Sequence, residues 1–157
     1  MAAEFLKNDV QTVNPNQQVL LTTSIGCNKG YVYHRPESGI VTLRGITNQC
    51  FATYQVTFNG NIALPDGATV GPISISLAID GEPILTSRAI VTPTATATDP
   101  PTTENFFNVT STAIIKVPRG CCFNVSVENT SESTDPATTP APPILVQNAN
   151  LVVDRIA

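Results

Sequence analysis

The sequence predicts an all-β fold, a single-domain antiparallel β-sandwich of about eight to ten short strands. Its 157 residues include 21 Thr, 13 Pro and 9 Gly, a composition that favours strands and turns over helices. Apolar and polar residues also alternate in several runs, which is the period of a strand with one buried face. Turn residues separate these runs, and no helical pattern lies between them.

The clearest alternation runs from Tyr54 to Leu64. Within it, the pair Asn59-Gly60 has the composition of a two-residue hairpin turn. Such a turn would mix polar and apolar side chains on each face, whereas one continuous strand keeps the large apolar residues on one side. We therefore expect a continuous strand, in which Gly60 marks a bulge or a close contact.

The other expected strands are short and are separated by turn signals such as Asp80-Gly81. They lie at residues 18–24, 30–34, 40–44, 73–79, 84–91, 107–117, 121–127 and 144–156, the last with a break near Asn148.

Three segments fall outside this strand pattern. Residues 1–12 are expected to form an N-terminal arm with Phe5 and Leu6 as an apolar anchor, ahead of a jelly-roll domain over residues 13–157. The Thr/Pro-rich segments 92–104 and 131–143 are expected to be long surface loops. Such loops are either functional or tolerated insertions.

Charge and hydropathy each argue against one class of partner. The net charge is −4, and the eight basic residues are scattered, whereas nucleic-acid binding needs clustered cations. No apolar run reaches the roughly 18 residues of a membrane helix, and the N-terminus lacks the pattern of a signal peptide. We therefore expect no nucleic-acid or membrane partner, and synthesis in the host cytoplasm without a signal peptide.

The sequence offers no catalytic constellation, so we expect no enzyme activity and no cofactor. Its single histidine, His34, cannot build a multi-histidine metal site and is expected at the surface or in loop packing. No Gly-rich phosphate loop or G-x-S-x-G elbow is present. The acidic residues do not follow the spacing of a calcium loop, which leaves open a calcium ion between loops or subunits.

The four cysteines, Cys27, Cys50, Cys121 and Cys122, allow three pairings. In a chain without a signal peptide they are expected to be reduced during folding. Strand parity places Cys121 in the core with Val125 and turns Cys122 outward. A bond between the two neighbours would be strained, so disulfides to Cys27 or Cys50 and buried free thiols are the alternatives.

The closing residues VQNANLVVDRIA resemble the last strand of TNF/C1q-like jelly rolls, including the C-terminal domains of exosporium collagen-like proteins. The segment CFATYQVTFNGNI resembles the aromatic central strand of that family. Together with CNKGYVYHR, SGIVTLRG, VGPISISLAIDGEPI and VPRGCCFNVSVENTS, these segments resemble small structural proteins of tailed phages and prophages of Gram-positive hosts. Because no Gly-X-Y repeat precedes the domain, a stalked spore-surface protein is disfavoured.

The resemblance implies a compact homotrimer with an aromatic and aliphatic face around a threefold axis. The positions that match this face are Tyr54, Val56, Phe58, Leu151 and Val153. For each of them, core packing within one subunit is the alternative.

The expected function is that of a trimeric phage decoration or cement protein on the capsid surface of the virion. Its partner would be the major capsid protein, with the arm at Phe5 and Leu6 threaded along the capsid. A protein that binds the assembled shell and not the free subunits stabilises the shell by mass action. The alternative is a trimeric receptor- or carbohydrate-binding head of a tail fibre or spike.

Overall fold

The computed structural model describes residues 2–26 and 30–157, and twelve strands lie within these ranges. They form two six-stranded antiparallel sheets. The first sheet contains β1 (Ala2–Lys7), β2 (Gln11–Val13), β3 (Thr23–Ile25), β6 (Phe51–Ala63), β10 (Phe107–Pro118) and β12 (Ile144–Arg155). The second contains β4 (Val32–His34), β5 (Val41–Arg44), β7 (Ile73–Ile79), β8 (Glu82–Pro83), β9 (Ala89–Val91) and β11 (Cys122–Asn129).

The strand order shows that most neighbours in each sheet are distant in sequence. The first sheet has the order β10-β6-β12-β1-β3, and β2 pairs with β12. The second has the order β4-β5-β11-β7-β8, and β9 pairs with β7. This arrangement confirms the predicted all-β antiparallel sandwich. In the described ranges the only helical element is a 3₁₀ turn at Leu85–Ser87, and no helix there is long and apolar enough to cross a membrane.

Strand β6 is continuous over 13 residues, as the alternation predicts. A Cβ atom on Gly60 would lie 2.8 Å from Cζ of Phe58, so Gly60 marks a close contact. The irregularity lies instead in β12, whose pairing with β6 shifts register between Gln147 and Asn150. Asn148 occupies this bulge with φ of 56°, at the position where a break in the last strand was expected.

The five residues expected around a threefold axis lie inside the single chain. The side chains of Tyr54, Val56, Phe58, Leu151 and Val153 are all 0% exposed and belong to the core between the two sheets. A side chain with no exposed surface in one chain has none to bury against a second. The expected interface at these positions is therefore wrong, and core packing is their role.

The N-terminal arm is also a wrong expectation. β1 lies within the first sheet, hydrogen-bonded to β12 on one side and β3 on the other. Phe5 is 0% exposed, packed in the core with Ala3, while Leu6 is half-buried on the opposite face of the sheet. The described domain therefore begins at Ala2, and neither Phe5 nor β1 is free to thread along another protein.

Replacing Phe5 tests this placement directly. Phe5→Ala should lower the free energy of unfolding by about 3–5 kcal/mol because it leaves a cavity in the core. Leu6→Ala, one residue along on the other face, should cost about 1 kcal/mol. Urea unfolding of the two variants measures both values, and equal small effects would restore the arm interpretation.

Candidate interaction surface

The outward face of the first sheet is broad and carries few charges. Its central rows bring Gln55 beside Ile114, and Thr57 beside Val152. Ile114, a large aliphatic side chain on this face, is 54% exposed. Among the outward-facing residues of β1, β6, β10 and β12, the charged ones are Glu4, Lys116 and Asp154. Low charge and exposed aliphatic groups are typical of a protein contact surface.

A row of side-chain amides crosses this face from β10 through β6 and β12 to the residue that follows β1. We call it the amide ladder. The Nδ2 group of Asn148 donates to Oδ1 of Asn8 at 2.6 Å, and Nδ2 of Asn61 donates to Oδ1 of Asn148 at 3.0 Å. Asn108 continues the row by donating to Oδ1 of Asn61 at 3.3 Å and of Asn59 at 2.9 Å.

The bulge in β12 is what allows this row to be continuous. The positive φ of Asn148 places its amide within reach of both Asn8 and Asn61, on either side of the strand. Thr110 ends the row by donating its hydroxyl to Oδ1 of Asn59 at 3.1 Å. The ladder cannot be read from the sequence because its members are far apart along the chain and only the sheet register aligns them. The outward parity of Asn59 and Asn61 was the one signal available.

The cysteines lie outside the amide ladder, and the position that strand alternation predicted for Cys121 is wrong. Cys50, Cys121 and Cys122 are free and exposed, whereas Cys121 was expected in the core. Cys121 precedes β11 in a turn, where its N–H donates to the carbonyl of Pro118, so strand alternation does not apply to it. Cys27 lies outside the described residues. The structure describes no disulfide among the other three.

The histidine is buried where the edges of the two sheets meet. His34 of β4 is 3% exposed and its ring centroid lies 4.8 Å from that of Phe5. Its Nε2 lies 2.9 Å from the carbonyl oxygen of Ser38, which can only accept, so Nε2 carries the hydrogen. In the neutral ring, Nδ1 then accepts from the hydroxyl of Ser24 at 2.9 Å. Both ring nitrogens have partners. Of the two positions expected for His34, the surface is wrong, whereas packing against a loop agrees with its contact to Ser38.

On β7 and β11, the outward face of the second sheet carries small side chains around one carboxylate. Ser76 and Ser126 are buried there, and Glu128 is only 5% exposed. Burial raises the pKa of Glu128, and repulsion from the carboxylate of Glu82 raises it further. The described residues contain no group of three or more His, Cys, Asp or Glu that could hold a metal ion.

A shallow groove of about 290 Å³ lies at one end of the sandwich. It runs between the β6–β7 connection and the Thr/Pro-rich segment before β12. Arg88 holds this segment against the second sheet by pairing with Glu132 at 3.3 Å and donating to the carbonyl of Thr130. The groove walls are mostly apolar and contain no aromatic ring; they are formed by residues 67–72, Glu132, Thr134 and 139–143.

The fold of this chain is similar to the folds of known structures. No protein-family model and no curated protein matches the sequence. The globular domain of zebrafish complement 1qA protein matches with a TM-score of 0.55 and 14% identity, over 99% of this chain and 97% of that one. The Eiger TNF protein of S. frugiperda matches with a TM-score of 0.58 and 14% identity, over 100% and 92%. The chain therefore has the TNF/C1q-like jelly-roll fold, as the sequence resemblance implied.

The exposed thiols give a direct test of the loop geometry. A thiol-disulfide reagent should titrate at least three of the four cysteines in the native, unreduced protein, because Cys50, Cys121 and Cys122 are exposed and free. Cys122→Ser should remove one equivalent. The same titration in denaturant sets the total, and fewer than three reactive thiols before denaturation would contradict this placement.

Glu128 predicts a specific pH dependence of stability. Because its pKa is raised in the folded chain, the free energy of unfolding should fall as the pH rises from the ordinary value of 4.5 through the folded pKa, and then level off. Glu128→Gln should remove this component and stabilise the protein more at pH 7 than at pH 4. Thermal unfolding across this range measures it. Glu104→Gln, in an exposed loop, is the matched control and should leave the slope unchanged.

Proposed function

We propose that this chain is a non-enzymatic structural protein that forms a homotrimer through the outward face of its first sheet and decorates a phage capsid. The observation that carries the self-association is the low charge of this face together with the exposure of Ile114. The TNF/C1q-like fold supports it, because the resemblance implies a trimer.

The geometry favours the outward face over the other surfaces for this contact. The inward face of the same sheet is occupied by the core of the single chain. The outward face of the second sheet includes the carboxylate of Glu128, and a protein contact there would remove the little water that still reaches this 5% exposed group. On the first sheet, Ile114 and Val152 offer apolar area at little cost in desolvated charge.

The proposed role on the capsid follows from mass action. A trimer that binds across a junction of the shell, and not to free capsid subunits, makes disassembly less favourable. Because β1 is committed to the first sheet, contact with the major capsid protein would use another surface. The proposal of a phage protein rests on the sequence resemblance alone. The small share of charged residues is compatible with a protein as the partner.

The second candidate is a receptor- or carbohydrate-binding head of a tail fibre or spike. The groove beside the 131–143 segment favours it, because that groove would remain open in a trimer formed through the first sheet. Its walls lack the aromatic platform on which sugar rings commonly stack, so a protein receptor fits the groove better than a glycan.

One pair of substitutions tests the trimer. Ile114→Arg places an unpaired charge in the proposed contact and should raise the dissociation constant at least about 100-fold, the effect of roughly 3 kcal/mol. Ile90→Arg is the matched control, since Ile90 is 57% exposed on a strand of the second sheet. Sedimentation equilibrium measures both. Dissociation by Ile90→Arg and not by Ile114→Arg would move the contact to the other sheet.

Imaging of virions that carry this protein tests its location. Density for trimers at threefold or quasi-threefold positions of the shell would support decoration. Density at the tail tip alone would favour the receptor-binding candidate and contradict decoration.

A further inference from the structure

The amide ladder has no evident role in the stability of the single chain. Asparagine is depleted from strands, yet Asn59, Asn61 and Asn108 lie within two paired strands at neighbouring outward positions. Their side chains face solvent, where an amide hydrogen bond exchanges with water and contributes little. Residues that violate a local preference without a structural gain are candidates for function.

The ladder also has the dimensions of an interface element. Its members occupy four adjacent places in the sheet, from β10 to the end of β1. At about 4.8 Å between strands, the row is roughly 14 Å long. Ile114 lies on the same outward face, six residues further along β10 than Asn108, which is about 20 Å at the rise of a strand.

We propose that the amide ladder sets the register of self-association, so that the trimer forms in one arrangement. This inference rests on the proposed function of the same face. The aliphatic side chains of Ile114 and Val152 contribute affinity, but apolar contacts tolerate sliding and rotation. A buried amide does not, because each donor or acceptor left unpaired costs about 1–3 kcal/mol.

The chemistry of the ladder fits a second copy of this chain. Each amide carries both a donor and an acceptor, so one amide row is complementary to another without any change of charge. Within the described part of the chain, Nδ2 of Asn59 has no hydrogen-bond partner, although Oδ1 of the same residue accepts from both Asn108 and Thr110. Its free hydrogens are available to an acceptor on a neighbouring subunit. A single buried Asn sets the register of coiled coils in the same physical way.

The test replaces the central amides with a good strand former. The ladder variant carries Asn59→Val, Asn61→Val and Asn108→Val. The control variant carries Thr42→Val and Asn124→Val, which remove an exposed hydrogen-bonded pair of 2.8 Å from the second sheet. Native mass spectrometry gives the stoichiometry. Fluorine NMR of protein labelled with fluorophenylalanine reports symmetry, since one arrangement gives one resonance for each of the six Phe residues.

The expected results separate register from affinity. The unaltered protein and the control variant should give one trimer mass and six resonances. The ladder variant should still associate, but with several masses or with split resonances. A ladder variant that keeps one mass and six resonances would overturn the inference and leave the proposed trimer standing. A monomeric ladder variant would also overturn it, because the amides would then supply affinity. A monomeric unaltered protein would overturn the proposed function as well.

Discussion

The structure depends above all on the packing of β6 at the centre of the first sheet. Its inward side chains, including Tyr54, Val56 and Phe58, are 0% exposed, and β10 and β12 pair with it along most of its length. Tyr54 also ties the two sheets together, since its buried hydroxyl donates to the carbonyl of Arg44 at the end of β5, 2.6 Å away. A slip of one residue in β6 would turn these side chains to solvent. The register of β6 therefore fixes both faces of the sheet at once.

This constraint also determines where the molecule can act. The same period of two that sends Tyr54 and Phe58 inward sends Gln55, Thr57 and Asn59 outward. The inward positions are filled within one chain, so any contact that this sheet makes face-on with another molecule has to use the outward set. The core and the candidate surface are thus two consequences of one alternation. Changes on the outward face can therefore test the proposed self-association while the core, and with it the fold, is preserved.

The strands that could be predicted most clearly from the sequence are those with a long alternation of apolar and polar residues. β6, β7 and β12 could be located because each carries several apolar residues of one parity. β1 shows no such alternation, since Ala2 and Ala3 are both apolar, as are Phe5 and Leu6, and β2 has only three residues. Parity failed for Cys121 because that residue lies in a turn. The interface residues were misplaced for a different reason: alternation identifies an apolar face but does not say whether a second sheet or a second chain covers it. The amide ladder depends on cross-strand register, which sequence spacing does not contain.

The outward faces of the two sheets differ in the free-energy cost of removing water from them. On the first sheet, Ile114 and Val152 share the outward face with neutral amides, and both kinds of side chain lose little when water is removed provided that the amides are paired. On the second sheet, Ser76 and Ser126 surround a carboxylate whose raised pKa already reflects incomplete hydration, and further burial would increase that penalty. The proposed association through the first sheet leaves the outward face of the second sheet uncovered, so the small exposed part of Glu128 stays hydrated. The electrostatic cost of burying Glu128 therefore favours the first sheet over the second for the proposed self-association.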